Sequence, residues 1–177
     1  GKQYILPDGS LTTDESSGGD SEVTTPAVFT SNRKTAITSS TYDSANNKVV
    51  IAYRDEVNSN YGTAVVGTVS GESISFGTPV VFNSGGTGYT SPTYNPVANK
   101  VVIAYRNDGY SNYGTAIVGT VSGDSITFGS PVVFNSARSY YISSTYDPVN
   151  NKVVISYKDV DNSGRGTAVV GTVSGDT

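Results

Sequence analysis

The sequence predicts an all-β fold of the β-propeller type, built as three four-stranded blades of about 52 residues, and three observations lead there. The chain repeats itself in register, its apolar residues fall in short β-branched runs divided by turn residues, and no stretch carries a helical period. Thr41-Tyr42-Asp43, Thr93-Tyr94-Asn95 and Thr145-Tyr146-Asp147 stand 52 residues apart. After each comes a run ending in tyrosine, Asn47 to Tyr53, Asn99 to Tyr105 and Asn151 to Tyr157, and then a Gly-Thr-Ala string beginning at Gly62, Gly114 or Gly166. A β-solenoid or a stacked sandwich is the alternative. It suits a four-strand unit less well.

In the second copy the elements follow in order. Tyr89 to Tyr94 is the first strand, ended by Asn95-Pro96 and Asn99, which set or tolerate turn dihedrals. Lys100 to Arg106 holds Val101-Val102-Ile103-Ala104-Tyr105 without polar interruption, as a strand covered on both faces would. Gly114 to Val121 is the third strand. Ser122-Gly123-Asp124-Ser125 turns the chain into the fourth, Ile126 to Phe134, where Ser130-Pro131 predicts an edge. First strands rich in small side chains, such as Thr38-Ser39-Ser40-Thr41 and Ile142-Ser143-Ser144-Thr145, suit the crowded channel of a propeller.

The repeats define a domain over residues 26–177. Pro26-Ala27-Val28-Phe29 matches Pro79-Val80-Val81-Phe82 and Pro131-Val132-Val133-Phe134, and so reads as an edge strand with no blade before it. Propellers close with four to eight blades. Two chains are therefore expected to join into a six-bladed ring by exchanging that strand, or else the chain is one segment of a longer array. Residues 1–25 read as a linker or docking segment. Thr12 to Ser21 is polar, acidic and Gly/Ser-rich, while Gln3 to Ser10 suits a short hairpin or docking strand.

Composition narrows the function classes. The 177 residues carry 11 Lys and Arg against 15 Asp and Glu, a formal charge of −4, with the cations scattered, so no basic stripe exists to follow a nucleic-acid backbone. No apolar run approaches the roughly 20 residues a membrane helix requires. Histidine and cysteine are both absent, which removes the commonest general base, the commonest metal ligand and the thiol nucleophile. No acidic pair repeats in a way that suggests glycoside hydrolysis. Asp43 and Asp147 recur, but the middle copy has Asn95, which points to turn caps. Arg54, Arg106 and Lys158 recur beside Asp55, Asp108 and Asp159, so surface pairing is expected of them. Asp159-Val160-Asp161-Asn162-Ser163-Gly164 resembles the opening of a calcium loop, yet Val170 stands where the closing glutamate belongs. It reads as a turn, and no cofactor is expected.

Recognition is expected where the copies vary, because a repeated scaffold keeps its core and changes its loops. Two loops vary. One presents Tyr61, Tyr110, Tyr113 and Arg165 between the second and third strands, and the other presents Tyr89, Arg138, Tyr140 and Tyr141 before the first strand. With Arg106 these form the candidate ligand-binding set. Tyrosine and arginine among Asn and Ser can stack on a sugar face and hydrogen-bond its hydroxyls.

The strings Asn99-Lys100-Val101-Val102-Ile103-Ala104-Tyr105-Arg106, Ser59 to Gly71 and Phe128 to Ser136 resemble repeat segments of structural and tail-fibre-like proteins of marine bacteriophages, of the cyanophage type. The resemblance spans residues 26–177 and transfers no functional residue, because its motifs belong to the scaffold. It implies a virion or extracellular location and a fibre or appendage module for host attachment. Its partners would be a cell-surface glycan and, through the N-terminal segment, other virion proteins. A purely structural or decorating virion protein is the alternative, and a glycan-degrading enzyme the second.

Overall fold

Short side-chain bonds close the hairpins. Asp43 Oδ1 accepts the N–H groups of Ala45 and Asn46 at 3.1 and 3.0 Å, Asn95 those of Val97 and Ala98, and Asp147 those of Val149 and Asn150. One residue earlier, the hydroxyls of Tyr42, Tyr94 and Tyr146 donate across the turn to Asn47, Asn99 and Asn151. Those three asparagines sit at φ of 53°, 52° and 52°, left-handed backbone that asparagine tolerates better than most side chains. The repeated Thr-Tyr-Asp string is therefore turn chemistry. Its carboxylates are caps.

The computed structural model describes residues 3–5, 11–13, 26–30 and 34–177. Among them lie thirteen strands and no helix. β1 (Gln3–Ile5) and β2 (Leu11–Thr13) form a separate antiparallel hairpin. Thr12 and Thr13, expected in the linker, thus belong to a strand, and residues 14–25 lie outside the described residues. The repeats supply β3 (Thr35–Asp43), β4 (Lys48–Asp55), β5 (Tyr61–Ser70), β6 (Ser73–Phe76), β7 (Val80–Asn95), β8 (Lys100–Asn107), β9 (Tyr113–Ser122), β10 (Ser125–Phe128), β11 (Val132–Asp147), β12 (Lys152–Asp159) and β13 (Arg165–Gly171). They make one open antiparallel sheet of 11 strands, ordered β13-β12-β11-β9-β8-β7-β5-β4-β3, with β6 on β5 and β10 on β9.

Two expected boundaries move. The fourth strand of the second copy breaks into β10 and the start of β11, each pairing with half of β9, because Pro131 has no N–H to give the ladder. Val132 then runs without interruption to Asp147, as Val80 runs to Asn95. Each of these 16-residue strands pairs first with one repeat and, after register shifts, with the next. This crossing joins the three strand sets into one sheet. It also folds them face to face, with two apolar layers between them.

The first layer holds Val50, Ala52, Ala64 and Val66 of the first set against Val101, Ile103, Tyr105, Ile117 and Ile126 of the second. The other holds Val102, Ala104 and Val118 of the second against Val153, Ile155 and Tyr157 of the third. Alternate residues of β8 serve opposite layers, which is why its apolar run has no polar member. Phe82 meets Tyr105 at 5.2 Å between ring centroids, and Phe134 meets Tyr157 at the same distance. At the edge of the stack Lys48 Nζ bonds Asp124 at 2.7 Å, and Lys100 bonds Asp176 likewise. The first strands touch through hydroxyls, Ser39 with Thr90 and Ser144 with both Ser91 and Thr93.

Pro26 to Phe29 departs from its expected role. Residues 26–28 join no strand, and among the described residues β13 pairs only with β12, so this segment does not complete the third set within one chain. Phe29 instead rests on Tyr53 and Phe76, at 5.3 and 5.7 Å.

Tyr105 is 1% exposed, and burial pushes its phenol from the ordinary 10 up to about 12. Below pH 10 the group is neutral in both the folded and the unfolded chain, so its contribution is intact. Between pH 10 and 12 only the unfolded chain ionises, and stability falls by about 3 kcal/mol over the interval. Urea midpoints measured across this range should drop steeply in the native chain. In Tyr105→Phe the slope should flatten.

Candidate functional site

The loops that vary lie on two kinds of constrained backbone. Between β4 and β5 the Tyr61 N–H bonds the Asn58 carbonyl, with Ser59 and Asn60 at φ of 51° and 61°. Tyr113 with Tyr110 and Arg165 with Asn162 repeat the arrangement. Two successive left-handed residues make a type I′ turn, whose twist matches that of a hairpin. The string Asp159 to Gly164 is one of these turns. Asp159 caps the Asn162 N–H, and Asp161 pairs with Arg138, at 2.7 Å from both Nε and Nη2. Among the described residues no group of three acidic side chains is arranged to hold a metal.

The second constraint is a bulge at the start of each first strand. Pairing shifts between Ala36 and Ser39, Gly88 and Ser91, and Tyr140 and Ser143. Ile37, Tyr89 and Tyr141, spaced 52 residues apart, carry φ of 56°, 51° and 53°. Large side chains in that region cost of order 1–3 kcal/mol each. The second bulge is held from both sides, since the Asp108 N–H bonds the Gly86 carbonyl and Thr90 is buried behind it. A bulge re-aims the side chain that it carries.

In the second copy it aims Tyr89 at the third. The Tyr89 ring lies 5.5 Å from Tyr140 and 5.3 Å from Tyr141. Arg106, opposite Gly88 on β8, places its guanidinium carbon 4.9 Å from the Tyr89 centroid and 4.5 Å from that of Tyr140. Such stacking suits the planar guanidinium. Asp108 holds the same group through Nε and Nη2 and raises its pKa, burial opposes the rise, and the two tyrosines add to it.

Arg138 continues the row. It stands opposite Tyr113 in the β11–β9 register and lies close enough to Tyr140 for that phenol to raise its pKa, after the larger effect of Asp161. Asp161 is held below its usual range by the same pair. Tyr113 meets Tyr110 edge to face at 5.2 Å, and Tyr110 is 59% exposed. A groove of about 450 Å³ beside Tyr110 is lined by Asn83, Ser84, Gly85 and Asn107 among others.

Of the nine residues predicted from the sequence, Tyr89, Arg106, Tyr140 and Tyr141 thus form one cluster, and Tyr110, Tyr113 and Arg138 extend it. Tyr61 and Arg165 are not brought in. They occupy the Tyr113 position of the first and third copies, and among the described residues the Arg165 guanidinium bonds the Asn162 side chain of its own turn. The expected Arg54 pairing also changes, since Arg54 bonds Glu56 while Asp55 caps Val57 and Asn58. Neighbouring strand residues point to opposite faces, so a partner two positions away is within reach where the adjacent one is not. Sequence reasoning missed Asn83 and Asn107. Asn83 was signalled by its Phe-Asn-Ser string, read as scaffold, and Asn107 by the Asn107-Asp108-Gly109 string, read as a turn. Set beside known proteins, the chain matches no protein-family model and no curated protein.

Proposed function

We propose that this chain is a non-enzymatic, propeller-type module of a phage virion that attaches the particle to its host by binding a cell-surface glycan. Face-to-face strand sets of a regular period, with hydroxyl-rich first strands in mutual contact, support reading the stack as an arc of propeller blades. The observation that carries the binding half is the run of Tyr110, Tyr113, Arg138, Tyr140, Tyr89 and Arg106 along one end of the arc. Its phenol faces, guanidinium groups and nearby amides can stack on sugar rings and hydrogen-bond their hydroxyls. Attachment to other virion proteins falls to the N-terminal segment.

Binding is favoured over catalysis by the chemistry at hand. The chain has neither His nor Cys, and its recurrent strand-end carboxylates are engaged as turn caps. Tyr110→Ala and Arg138→Ala, both at exposed positions, should each weaken retention on a host-glycan array under multivalent display by about tenfold. Undiminished retention by both variants contradicts the reading.

One observation favours a second reading. Asp108 already satisfies Arg106, and Tyr89 and Tyr140 cover it, as in a cluster that only seals the seam between two strand sets. A structural or decorating virion protein would need no more. Phage carrying Tyr110→Ala would then adsorb normally.

A further inference from the structure

The interface between neighbouring strand sets repeats residue for residue, and its two halves recur unpaired at the ends of the stack. Val66 and Val118 face the next set and are 1% and 6% exposed, whereas Val170, their counterpart in β13, is 62% exposed. Beside it Ser156 and Ala168 are open where Ala52, Ala64 and Ala104 are buried. At the other end the face is open along its rim, where Val69 is 52% exposed against 7% for its counterpart Val121, while Tyr53 and Val65 of the same face are 0% exposed, with Phe29 resting on Tyr53.

The ion pairs run in the same series. Lys48 donates to Thr68 and to Asp124 of the next set, and Lys100 to Thr120 and Asp176. Lys152 takes the same position, donating to Thr172 at 2.6 Å, with no carboxylate paired to it among the described residues. Glu72 occupies the turn position of Asp124 and Asp176 on the first set, exposed and with no lysine paired to it among the described residues. One end presents the cation and the other presents the anion.

Backbone pairing gives a third match. Val80 and Val81 pair with Ala64 and Thr63, and Val132 and Val133 with Ala116 and Thr115. The same register would set Ala27 and Val28 against Ala168 and Thr167 on the open edge of β13. Phe29 already rests on Tyr53 as Phe82 does on Tyr105, and Val28 is 77% exposed.

We propose that the occupant of each open face is a second copy of this chain, docked head to tail. The Val170 face of one copy covers the Val69 face of the other, Lys152 meets Glu72, and Ala27-Val28 adds to the partner's β13. Two such junctions close a ring of six strand sets. The apolar faces and strand addition supply the affinity, while the exposed ion pair sets the register. Head-to-tail contacts close only when the rotation per copy permits, so a sealed pair is a specific claim.

Charge reversal tests it with the intact 177-residue chain. By light scattering on a sizing column the native chain should have twice the 18.4 kDa mass of one copy. Lys152→Glu alone sets Glu against Glu72 at both junctions, and Glu72→Lys alone sets Lys against Lys152. Each should raise the dissociation constant by about tenfold or more. Mixing the two variants pairs opposite charges at both junctions and should restore the native mass. Val170→Glu should also separate the copies. A native chain that stays at 18.4 kDa, assemblies of three or more copies, or variants that pair as the native chain does would each overturn the proposal.

Discussion

Replacing Tyr105 by alanine is expected to lower the stability of the folded chain by about 3–5 kcal/mol. The ring lies between the first two strand sets, in the layer with Val50, Val66, Ile103 and Ile117, and meets Phe82 edge to face. Its removal leaves a void that strands on both sides cannot collapse into, because the ladders of β4, β5, β8 and β9 set their spacing. Total stabilities of domains this size are commonly 5–15 kcal/mol, so such a loss reaches a large share of the whole. A urea titration should show the midpoint fall with little change in slope. Tyr105→Phe, which keeps the ring, should stay within about 1.5 kcal/mol of the native chain. A similar loss in both variants would show that the hydroxyl, and not the packed ring, carries the effect.

Gly77→Val is expected to cost about 3 kcal/mol, the upper part of the overpacking range. A Cβ at Gly77 would run into the backbone carbonyl of Asp124 in the next strand set, and Gly129 stands in the same relation to Asp176. Backbone cannot turn aside as a side chain would, so the turn carrying Asp124 must move and loosen the Lys48–Asp124 pair. Hydrogen exchange should speed up in β6 and β10 ahead of β8. Uniform acceleration throughout the sheet would contradict a local wedge between the two sets. Gly71→Ala provides the contrast, because nothing crowds that position and only its φ of 57° opposes a side chain. Its cost should be about 1 kcal/mol.

The fold was legible wherever the chemistry was local. Asp43, Asn95 and Asp147 could be read as caps because an Asx side chain reaches its own turn, and β8 as doubly covered because five apolar residues in succession leave neither face polar. The long crossings of β7 and β11 were not legible. Ser130-Pro131 marks the break in the outer strand, but no residue signals that pairing then passes from one strand set to the next.

The candidate site was legible as residue types and not as an arrangement. Tyr89, Arg106 and Tyr140 come from three strands and two repeats, and what unites them is a bulge with a tyrosine in left-handed backbone. Glycine or asparagine would have announced such a conformation; Tyr89 does not, because the surrounding ladder imposes it. Arg54 illustrates the converse. Adjacency suggested Asp55, while the two-residue period of a strand selects Glu56.

The claim that the tyrosine–arginine end of the arc binds sugar is tested most directly by saturation-transfer NMR with host-surface polysaccharide. Irradiating the tyrosine ring protons should pass magnetisation to the sugar ring protons, and Tyr110→Ala with Arg138→Ala in one chain should abolish the transfer while leaving the strand spectrum unchanged. No transfer to the polysaccharide, or equal transfer from the native and the doubly substituted chain, would contradict it.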